Sequence, residues 1–488
     1  MLWSFEISNF KIVYGIESNN QKKLKKEKFI MKKIFSFAAV VTVISALFFG
    51  CSDIATSSEN ELSINSQRRQ TLAFYAGVGN YKANQNEMEA TLASFLTISE
   101  DERSVTNVSN YVFTLAATDS VEVAKNTIVR SANLDSYDDV DLYLYNMKNT
   151  ADGTEGFAIT STDRRIGTVL AFVPNGTIED ARENPFLEIF FDNLEEYIGE
   201  TVEIWNDLSD EELSESRASA SSIITSGNYT FSNWQFHSGN VDYILKTKWG
   251  QGSPYNTVVN QRINDGKSYP VGCGPTALAQ LLAVLEYPKQ YDWIAMKANP
   301  YAINVSASAK NMIANLMSEL GIGLNVSYST TGTGCFNSDV EKYLLNNGYS
   351  YSGFKGYDLS SVQSSIDNGY PVMAQGYATK KTKKKKIFGI TYKKTTSYYN
   401  GHYWIIDAYA RFSCNAKNKT SDEVTKITEN FVHCNLGWDG GCNGYYLNGV
   451  FDTAHVPVEY TNGSTYNTGN SSHNFQYKQQ ILTNLHHN

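Results

Sequence analysis

The stretch YPVGCGPTALAQLL, residues 269–282, decides the fold more than any other part of the sequence. In it Cys273 stands between two glycines and is followed by Pro275 and by a run of strong helix formers. Proline suits the first turn of a helix, because the N–H that it lacks would have no partner there. The pattern predicts Cys273 at a helix N-terminus, where unpaired N–H groups and the helix dipole favour the thiolate and lower its pKa. The alternative is a buried structural cysteine ahead of a helix.

Two later stretches carry polar groups that could work with this cysteine. GHYWIIDAY, residues 401–409, alternates like a strand and has His402 at its start, where an imidazole can face a cleft. NLGWDGGCNGYY, residues 435–446, predicts a strand that ends at Asn435 and a glycine-rich turn that carries Trp438. The alternatives are a tolerated histidine and an ordinary hairpin. The C-terminal residues, with His486 and His487, are expected to form a polar tail.

Upstream of Cys273, the stretch KWGQGSPYN, residues 248–256, places Gln251 between glycines. A glutamine amide is a suitable hydrogen-bond donor for an oxyanion. The order Gln, Cys, His, Asn is the one that a papain-type hydrolase needs. This interpretation requires the sulfur of Cys273 and the imidazole of His402 to face each other across a groove.

With these motifs the chain resembles the streptopain family of papain-like cysteine peptidases, which carry an inhibitory prosegment. The matching pieces are Trp249–Asn256, Gly272-Cys273 with Thr276-Ala277 and Ala279-Gln280, Tyr287-Pro288 with Tyr291-Asp292-Trp293, Thr331–Gly334, Pro371-Val372, Gly401-His402 with Trp404 and Asp407, and Asn435 with Gly437-Trp438 and Asn443–Tyr445. The hairpin-like stretch 156–172 resembles part of the prosegment. The resemblance covers about residues 70–480. The chain departs from the family pattern at Gly274, Tyr403 and Leu436.

The resemblance implies both a fold and a set of site residues. The fold is α+β: a papain-like two-lobe cysteine peptidase domain preceded by an α+β prosegment domain. Cys273 would be the nucleophile, His402 the general base and then acid, Gln251 an oxyanion donor, and Asn435 the residue that orients the imidazole. The substrate cleft would include Trp438, Gly401, Trp404 and Gly334. No metal or cofactor is implied.

The N-terminus has the features of an export signal. Residues 34–49 form an apolar run after a basic start at Met31, too short to span a membrane. LFFGC, residues 47–51, resembles a lipobox, so Cys51 is the expected lipid attachment site. The lipid would be the chain's one contact with a membrane. The alternative is secretion after cleavage at another position. The expected domains are residues 1–50 (an upstream extension plus the signal peptide, with Met31 as the expected start), 51–70 (tether), 71–225 (inhibitory prosegment) and 226–488 (peptidase domain).

Charge divides the 488-residue chain into two parts. The net charge is −9, which argues against a nucleic-acid partner. Residues 51–224 carry 11 Lys and Arg against 31 Asp and Glu, whereas residues 225–488 carry 22 against 16. Parts of opposite sign can attract each other, so the partners expected are protein or peptide substrates and the chain's own prosegment. The alternative is two unrelated domain surfaces.

Several connecting segments also carry expectations. Residues 111–116 and 156–172 predict strands, 183–205 predicts an amphipathic helix, and 207–226 has the composition of an exposed, cleavable linker. The lysine-rich stretch Lys380–Lys394 predicts a basic hairpin with an apolar tip at the cleft rim that binds the acidic prosegment or steers acidic substrates. The composition favours a solvated loop, and binding of the prosegment or of acidic substrates is the sharper hypothesis. Cys434 and Cys442 could form at most one local disulfide.

Three functions fit the sequence. The first is an exported cysteine endopeptidase, made as a zymogen, that acts through a thioester. The second is a cell-wall amidase or transglutaminase-type enzyme with the same Cys-His chemistry. The third is a non-catalytic lipoprotein that uses the fold as a binding module. The four polar groups disfavour the third function, and an inhibitory prosegment disfavours the second.

Overall fold

One antiparallel sheet continues from the N-terminal half of the chain into the C-terminal half. The computed structural model describes residues 68–79, 81–98, 110–123, 139–181, 184–219, 229–330, 332–379, 383–388, 390–394, 398–451, 460–461, 464–465 and 479–487, which belong to one compact unit. The expected start at Met31, the signal peptide, the lipid attachment site Cys51 and most of the tether lie outside the described residues.

The N-terminal half contains a meander of strands β1 to β4, each paired with the next. The strands are β1 (Tyr111–Val121), β2 (Val140–Asn149), β3 (Glu155–Ser161) and β4 (Val169–Val173). The helices are α1 (residues 68–78), α2 (Gln85–Phe95), α3 (Ile178–Ala181), α4 (Pro185–Asp207) and α5 (Asp210–Ser219). The predicted strands at 111–116 and 156–172 and the helix at 183–205 are confirmed.

Helix α4 is the main apolar element that the prosegment presents to the rest of the chain. Its start is fixed by Asn184, whose side chain accepts the N–H of Phe186 at 2.9 Å, and by Pro185 in the first turn. The apolar side chains recur with helical spacing, and Phe186, Phe190 and Leu194 are fully buried. Burial of this face, rather than helix propensity, holds the helix in place.

The prediction of an exposed linker at 207–226 is wrong for its first part, because residues 210–219 form helix α5. The N–H of Ser209 donates to the Glu212 carboxylate at 2.8 Å, and the N–H of Glu212 donates to the Ser209 hydroxyl at 3.2 Å. This reciprocal capping box starts the helix. Arg69 then forms an ion pair with Glu212 at 2.7 Å, which ties α5 back to α1.

The C-terminal half supplies most of the helices and the centre of the sheet. Its helices are α6 (Thr257–Ile263), α7 (Cys273–Leu285), α8 (Trp293–Met296), α9 (Ala307–Gly323), α10 (Asn337–Asn346) and α11 (Leu359–Asp367). Its strands are β5 (Tyr229–Phe231), β6 (Gln235–Ser238), β7 (Ser327–Ser329), β8 (Gly332–Gly334), β9 (Tyr349–Gly356), β10 (Val372–Thr379), β11 (Lys383–Ile387), β12 (Ile390–Lys394), β13 (Tyr398–Asn418), β14 (Val424–Asn435), β15 (Gly444–Leu447), β16 (Tyr460–Thr461), β17 (Ser464–Thr465) and β18 (Gln479–His487).

The large sheet has the order β1-β2-β3-β4-β15-β14-β13-β10-β18-β9, with β5 and β6 also paired to β13. The prosegment meander joins it where β4 pairs with β15, through Phe172 opposite Tyr445 and Ala171 opposite Tyr446. The C-terminal residues expected to form a polar tail instead form strand β18, which pairs with β10 on one side and with β9 on the other. Its alternate residues Ile481, Thr483 and Leu485 are buried.

Two hydrophobic cores flank β13, because successive residues of a strand face opposite sides. Trp404 and Ile406 belong to a core that also contains the prosegment residues. Tyr403 and Ile405 belong to a second core, built on α7 and α9. The predicted α+β class, with a helical lobe, a β lobe and a preceding prosegment, is confirmed.

The described residues were also compared with the requirements for a membrane-spanning helix, a metal cluster and a local disulfide. Among the residues described, no helix combines the length and apolar character needed to cross a bilayer. The same residues contain no cluster of three or more His, Cys, Asp or Glu side chains placed to hold a metal ion. Cys434 and Cys442 are both free thiols, so the local disulfide considered for them is not formed.

Candidate active site

Cys273 is the first residue of α7, as the sequence predicts. Gly272 before it has φ 103°, and a Cβ at that position would overlap the side chain of Thr333, so only glycine fits. The backbone N–H groups of Tyr403, Gly274 and Cys273 favour the charged form of the sulfur. Burial nevertheless raises the pKa of the Cys273 thiol, and the helix N-terminus offsets only part of this effect. The predicted lowering of this pKa is therefore wrong for this conformation.

His402 lies inside β13 rather than at its start, and it is only 2% exposed. Its Nε2 donates to the carbonyl oxygen of Leu436 at 3.2 Å, which leaves Nδ1 without a proton. Its ring is nearly parallel to that of Trp404, with centroids 6.4 Å apart. Burial lowers the pKa of His402 to about 4, so the imidazole is neutral at physiological pH.

The two key side chains are neighbours through the backbone but are not paired. The N–H of Tyr403, the residue next to His402, favours the charged form of the Cys273 sulfur. The His402 side chain lies on the same side of β13 as Trp404, and no hydrogen bond joins the described side chains of Cys273 and His402. The thiol–imidazole hydrogen bond expected from the sequence is therefore absent from this conformation.

Asn435 ends β14 as predicted, but its carboxamide is directed at α7 instead of at His402. Its Nδ2 donates to the carbonyl of Thr247 at 3.0 Å, and its Oδ1 accepts from Gln280 at 3.3 Å and from the N–H of Gly437 at 3.2 Å. These bonds fix the turn that contains Leu436, whose carbonyl holds the imidazole. Asn435 thus reaches His402 only through the backbone of the next residue.

Gln251 lies beside the start of α7, because its carbonyl accepts the N–H of Val271 at 2.9 Å. Its side-chain amide donates to the carbonyl of Gly437 at 3.5 Å, next to the half-buried Trp438. The sequence motif therefore does bring an amide donor to the same end of the helix as Cys273. The donor is engaged with the turn at Gly437 in this conformation.

The expected cleft residues separate into two groups. Gly401 and Gly334 are exposed. Trp404 is 1% exposed and is covered by Phe186 of the prosegment helix α4, with ring centroids 5.1 Å apart. Trp404 is therefore part of the prosegment contact in this conformation and does not line an open cleft.

The lysine-rich insertion forms the predicted hairpin, in which β11 pairs with β12. Its apolar tip is buried rather than solvated, with Ile387, Phe388 and Ile390 exposed by 1%, 6% and 4%. The N–H of Phe388 donates to the carboxylate of Asp119 in β1 at 2.8 Å. The hairpin tip therefore contacts the prosegment. The positions of the lysine side chains lie outside what the structure describes.

Two residues near Cys273 received no role from the sequence. Gln280 holds Asn435 and also accepts hydrogen bonds from the N–H of Trp249 and the hydroxyl of Thr247, both at 3.0 Å. Its position seven residues after Cys273, two turns along α7, is a signal that could have placed it on the same helix face. Cys335 lies against Gly274, a long-range contact that the sequence does not signal.

Comparisons with known proteins identify two families that the chain is similar to. The model of the peptidase C10 family matches residues 249–291 and 289–446, and the model of the Spi protease inhibitor matches residues 83–198. Streptopain from Streptococcus pyogenes is 23% identical over 357 residues, which cover 62% of this chain and 73% of that protein.

Two solved structures from Prevotella intermedia are also similar. A fragment of prointerpain A is 18% identical with a TM-score of 0.42, and the match covers 76% of this chain and all of that fragment. Active wild-type interpain A, a cysteine protease, is 20% identical with a TM-score of 0.32, and the match covers 51% of this chain and 95% of that one. On the two family models, the chain belongs to the peptidase C10 family of cysteine peptidases and carries its own Spi-type inhibitory prosegment.

Proposed function

We propose that the chain is the zymogen of an endopeptidase that hydrolyses protein or peptide substrates through a thioester on Cys273. In this proposal His402 is the general base and acid, and Gln251 with the Cys273 N–H holds the oxyanion. Asn435 is a positioning residue that acts through the Leu436 carbonyl. The observation that supports this assignment best is that the Tyr403 N–H, one residue from His402, favours the charged form of the Cys273 sulfur.

The chemistry follows from these groups once the imidazole meets the thiol. His402 Nδ1 takes the proton of Cys273, and the resulting imidazolium stabilises the thiolate that attacks the scissile carbonyl. Backbone and side-chain N–H donors stabilise the charge on the developing oxyanion. His402 then protonates the leaving amine and later activates the water that hydrolyses the thioester. None of these steps requires a metal or a cofactor.

The conformation described here explains why the prosegment is inhibitory. Two features suppress ionisation: the thiol is half-buried with a raised pKa, and the imidazole is bonded to Leu436 beside a tryptophan that Phe186 covers. Loss of α4 from this position would uncover Trp404 and give His402 room to turn toward the sulfur. We therefore assign residues 71–225 to the prosegment and residues 226–488 to the peptidase domain, with maturation by cleavage between them.

Self-cleavage of the purified full chain tests the proposal. Under reducing conditions, gel electrophoresis should show a product that begins between residues 207 and 235, and a thiol-directed inhibitor should abolish it. Cys273→Ala should prevent the cleavage, whereas Cys414→Ala, which removes a buried cysteine in β13, should leave it unchanged. Cleavage that persists in purified Cys273→Ala protein would reject Cys273 as the nucleophile.

The same experiment separates the other two functions. An amidase or transglutaminase-type enzyme would label at Cys273 with the inhibitor but leave casein-like protein substrates intact. A non-catalytic binding module would neither cleave nor show inhibitor labelling faster than that of an ordinary thiol.

We further propose that the protein acts outside the cytoplasm and is anchored by a lipid on Cys51. Metabolic labelling with a fatty acid, lost in Cys51→Ala, would test this.

A further inference from the structure

A second thiol shares the end of α7 with the nucleophile. A Cβ added at Gly274 would lie less than 3.0 Å from the sulfur of Cys335 and in contact with the ring of Tyr403. With a carbon–carbon bond of about 1.5 Å, the Gly274 Cα lies within roughly 4.5 Å of that sulfur. The glycine that follows Cys273 therefore makes space for Cys335 in particular.

The two cysteines also share their surroundings. Both are half-buried and pack against the core built on α7; burial, and to a smaller extent a charge on Cys273, raises the pKa of Cys335, and the charge effect is of short range. Tyr403 lies beside both thiols: its N–H and its side chain favour the charged forms of Cys273 and Cys335, while its hydroxyl donates to Asn337. One Cα–Cα step of about 3.8 Å separates Gly274 from Cys273, so the Cys335 sulfur lies within roughly 8 Å of the Cys273 Cα, and side-chain movements would have to bring the two sulfurs to the S–S distance of about 2 Å.

The geometry points to Cys335 as a resolving cysteine that forms a reversible disulfide with Cys273 when the nucleophile is oxidised. The proposed catalytic mechanism has no use for a second thiol at this place. The remaining described cysteines, Cys414, Cys434 and Cys442, are at most 2% exposed, so Cys335 is the one half-buried thiol besides Cys273 among the residues described.

The oxidant in this reaction is a hydroperoxide. The Cys273 thiolate attacks the peroxide, the O–O bond breaks and a sulfenic acid forms; the leaving oxygen takes up the proton that the Cys273 thiol lost and departs as an alcohol, or as water from hydrogen peroxide. The thiol of Cys335 then attacks the sulfenic sulfur, the S–S bond forms, and the hydroxyl group leaves as water with the proton of Cys335. A small thiol later reduces the disulfide and restores both thiols. Without Cys335 the sulfenic acid is open to further oxidation to the sulfinic acid, which small thiols do not reverse.

Mass spectrometry of the full chain treated with hydrogen peroxide at alkaline pH, where the Cys273 thiolate forms despite its raised pKa, tests the inference independently of peptidase activity. After free thiols are blocked and the protein is digested, the wild type should yield a linked peptide pair that contains Cys273 and Cys335 and has lost two hydrogens. Cys335→Ser should lack this pair and accumulate sulfinic acid at Cys273. Cys414→Ser is the matched control and should retain the pair.

Activity provides a second measurement, and it rests on the proposed function of Cys273. Peroxide should inactivate the matured wild type and Cys335→Ser alike, but dithiothreitol should restore only the wild type. The inference is overturned if peroxide oxidises Cys273 in the wild type without forming the linked pair. It is also overturned if Cys335→Ser recovers as fully as the wild type. A protein that forms the pair but never cleaves peptides would reject the proposed function and leave the disulfide standing.

Discussion

Truncation of Phe186 should release the prosegment from the peptidase domain. This fully buried side chain of α4 contacts three rings of the C-terminal half, with centroid distances of 5.1 Å to Trp404, 4.9 Å to Tyr446 and 6.0 Å to Phe451. A buried Phe→Ala change costs about 3–5 kcal/mol. The lost ring contacts join the prosegment to the peptidase domain. We therefore expect the variant to weaken the free energy of docking between them by at least about 3 kcal/mol, which raises the undocked population by roughly a hundredfold.

The assay is the rate of labelling of Cys273 by a thiol-directed inhibitor in intact, full-length zymogen, followed by the rate of self-cleavage. Phe186→Ala should accelerate both by roughly two orders of magnitude. The control is Leu144→Ala, a similar truncation in β2, a strand that pairs only with β1 and β3. Equal acceleration in the two variants would show that loosening the prosegment itself, and not its contact with Trp404, causes activation. No acceleration by Phe186→Ala would refute the reasoning altogether.

Three further predictions concern the pH dependence, the oxyanion and the hairpin. Burial raises the pKa of Glu429 from 4.5 to about 8, although the hydrogen bond from the Thr168 N–H lowers it in part, so the docked state favours the protonated acid. The melting temperature of the Cys273→Ala zymogen should therefore fall as pH rises from about 4.5 to about 8, and the added change Glu429→Gln should flatten that fall. Equal slopes with and without Glu429→Gln would contradict the assignment. Gln251→Ala should lower kcat of the matured enzyme by about 10²–10³ and leave inhibitor labelling of the zymogen unchanged, whereas a purely structural role would lower both. Replacing Lys383–Lys386 by glutamine should speed self-cleavage, and the difference from the wild type should shrink in high salt; identical rates at low salt would exclude an electrostatic role for the hairpin.

Local patterns were enough to predict the elements that carry the site. The helix that begins at Cys273 and the amphipathic helix α4 follow from capping residues and apolar spacing, both of which are local. The helix α5 was missed although Ser209 and Glu212 form a capping box, because the low apolar content of the segment favoured a linker. Strand β18 was missed because its pairing with β9 and β10 joins residues more than 100 positions apart, which no short window reveals.

The orientation of His402 could not be predicted, because it depends on a partner that the local sequence does not contain. The same residues of β13 would suit an open cleft in a protein without a prosegment. Here Trp404 finds Phe186 of α4, and the imidazole beside it finds the carbonyl of Leu436. Each contact is individually modest, but together they bury a group whose charged form the proposed mechanism requires. Under that mechanism the prosegment would act on the protonation of the site as well as on access to it, and removal of α4 should restore both.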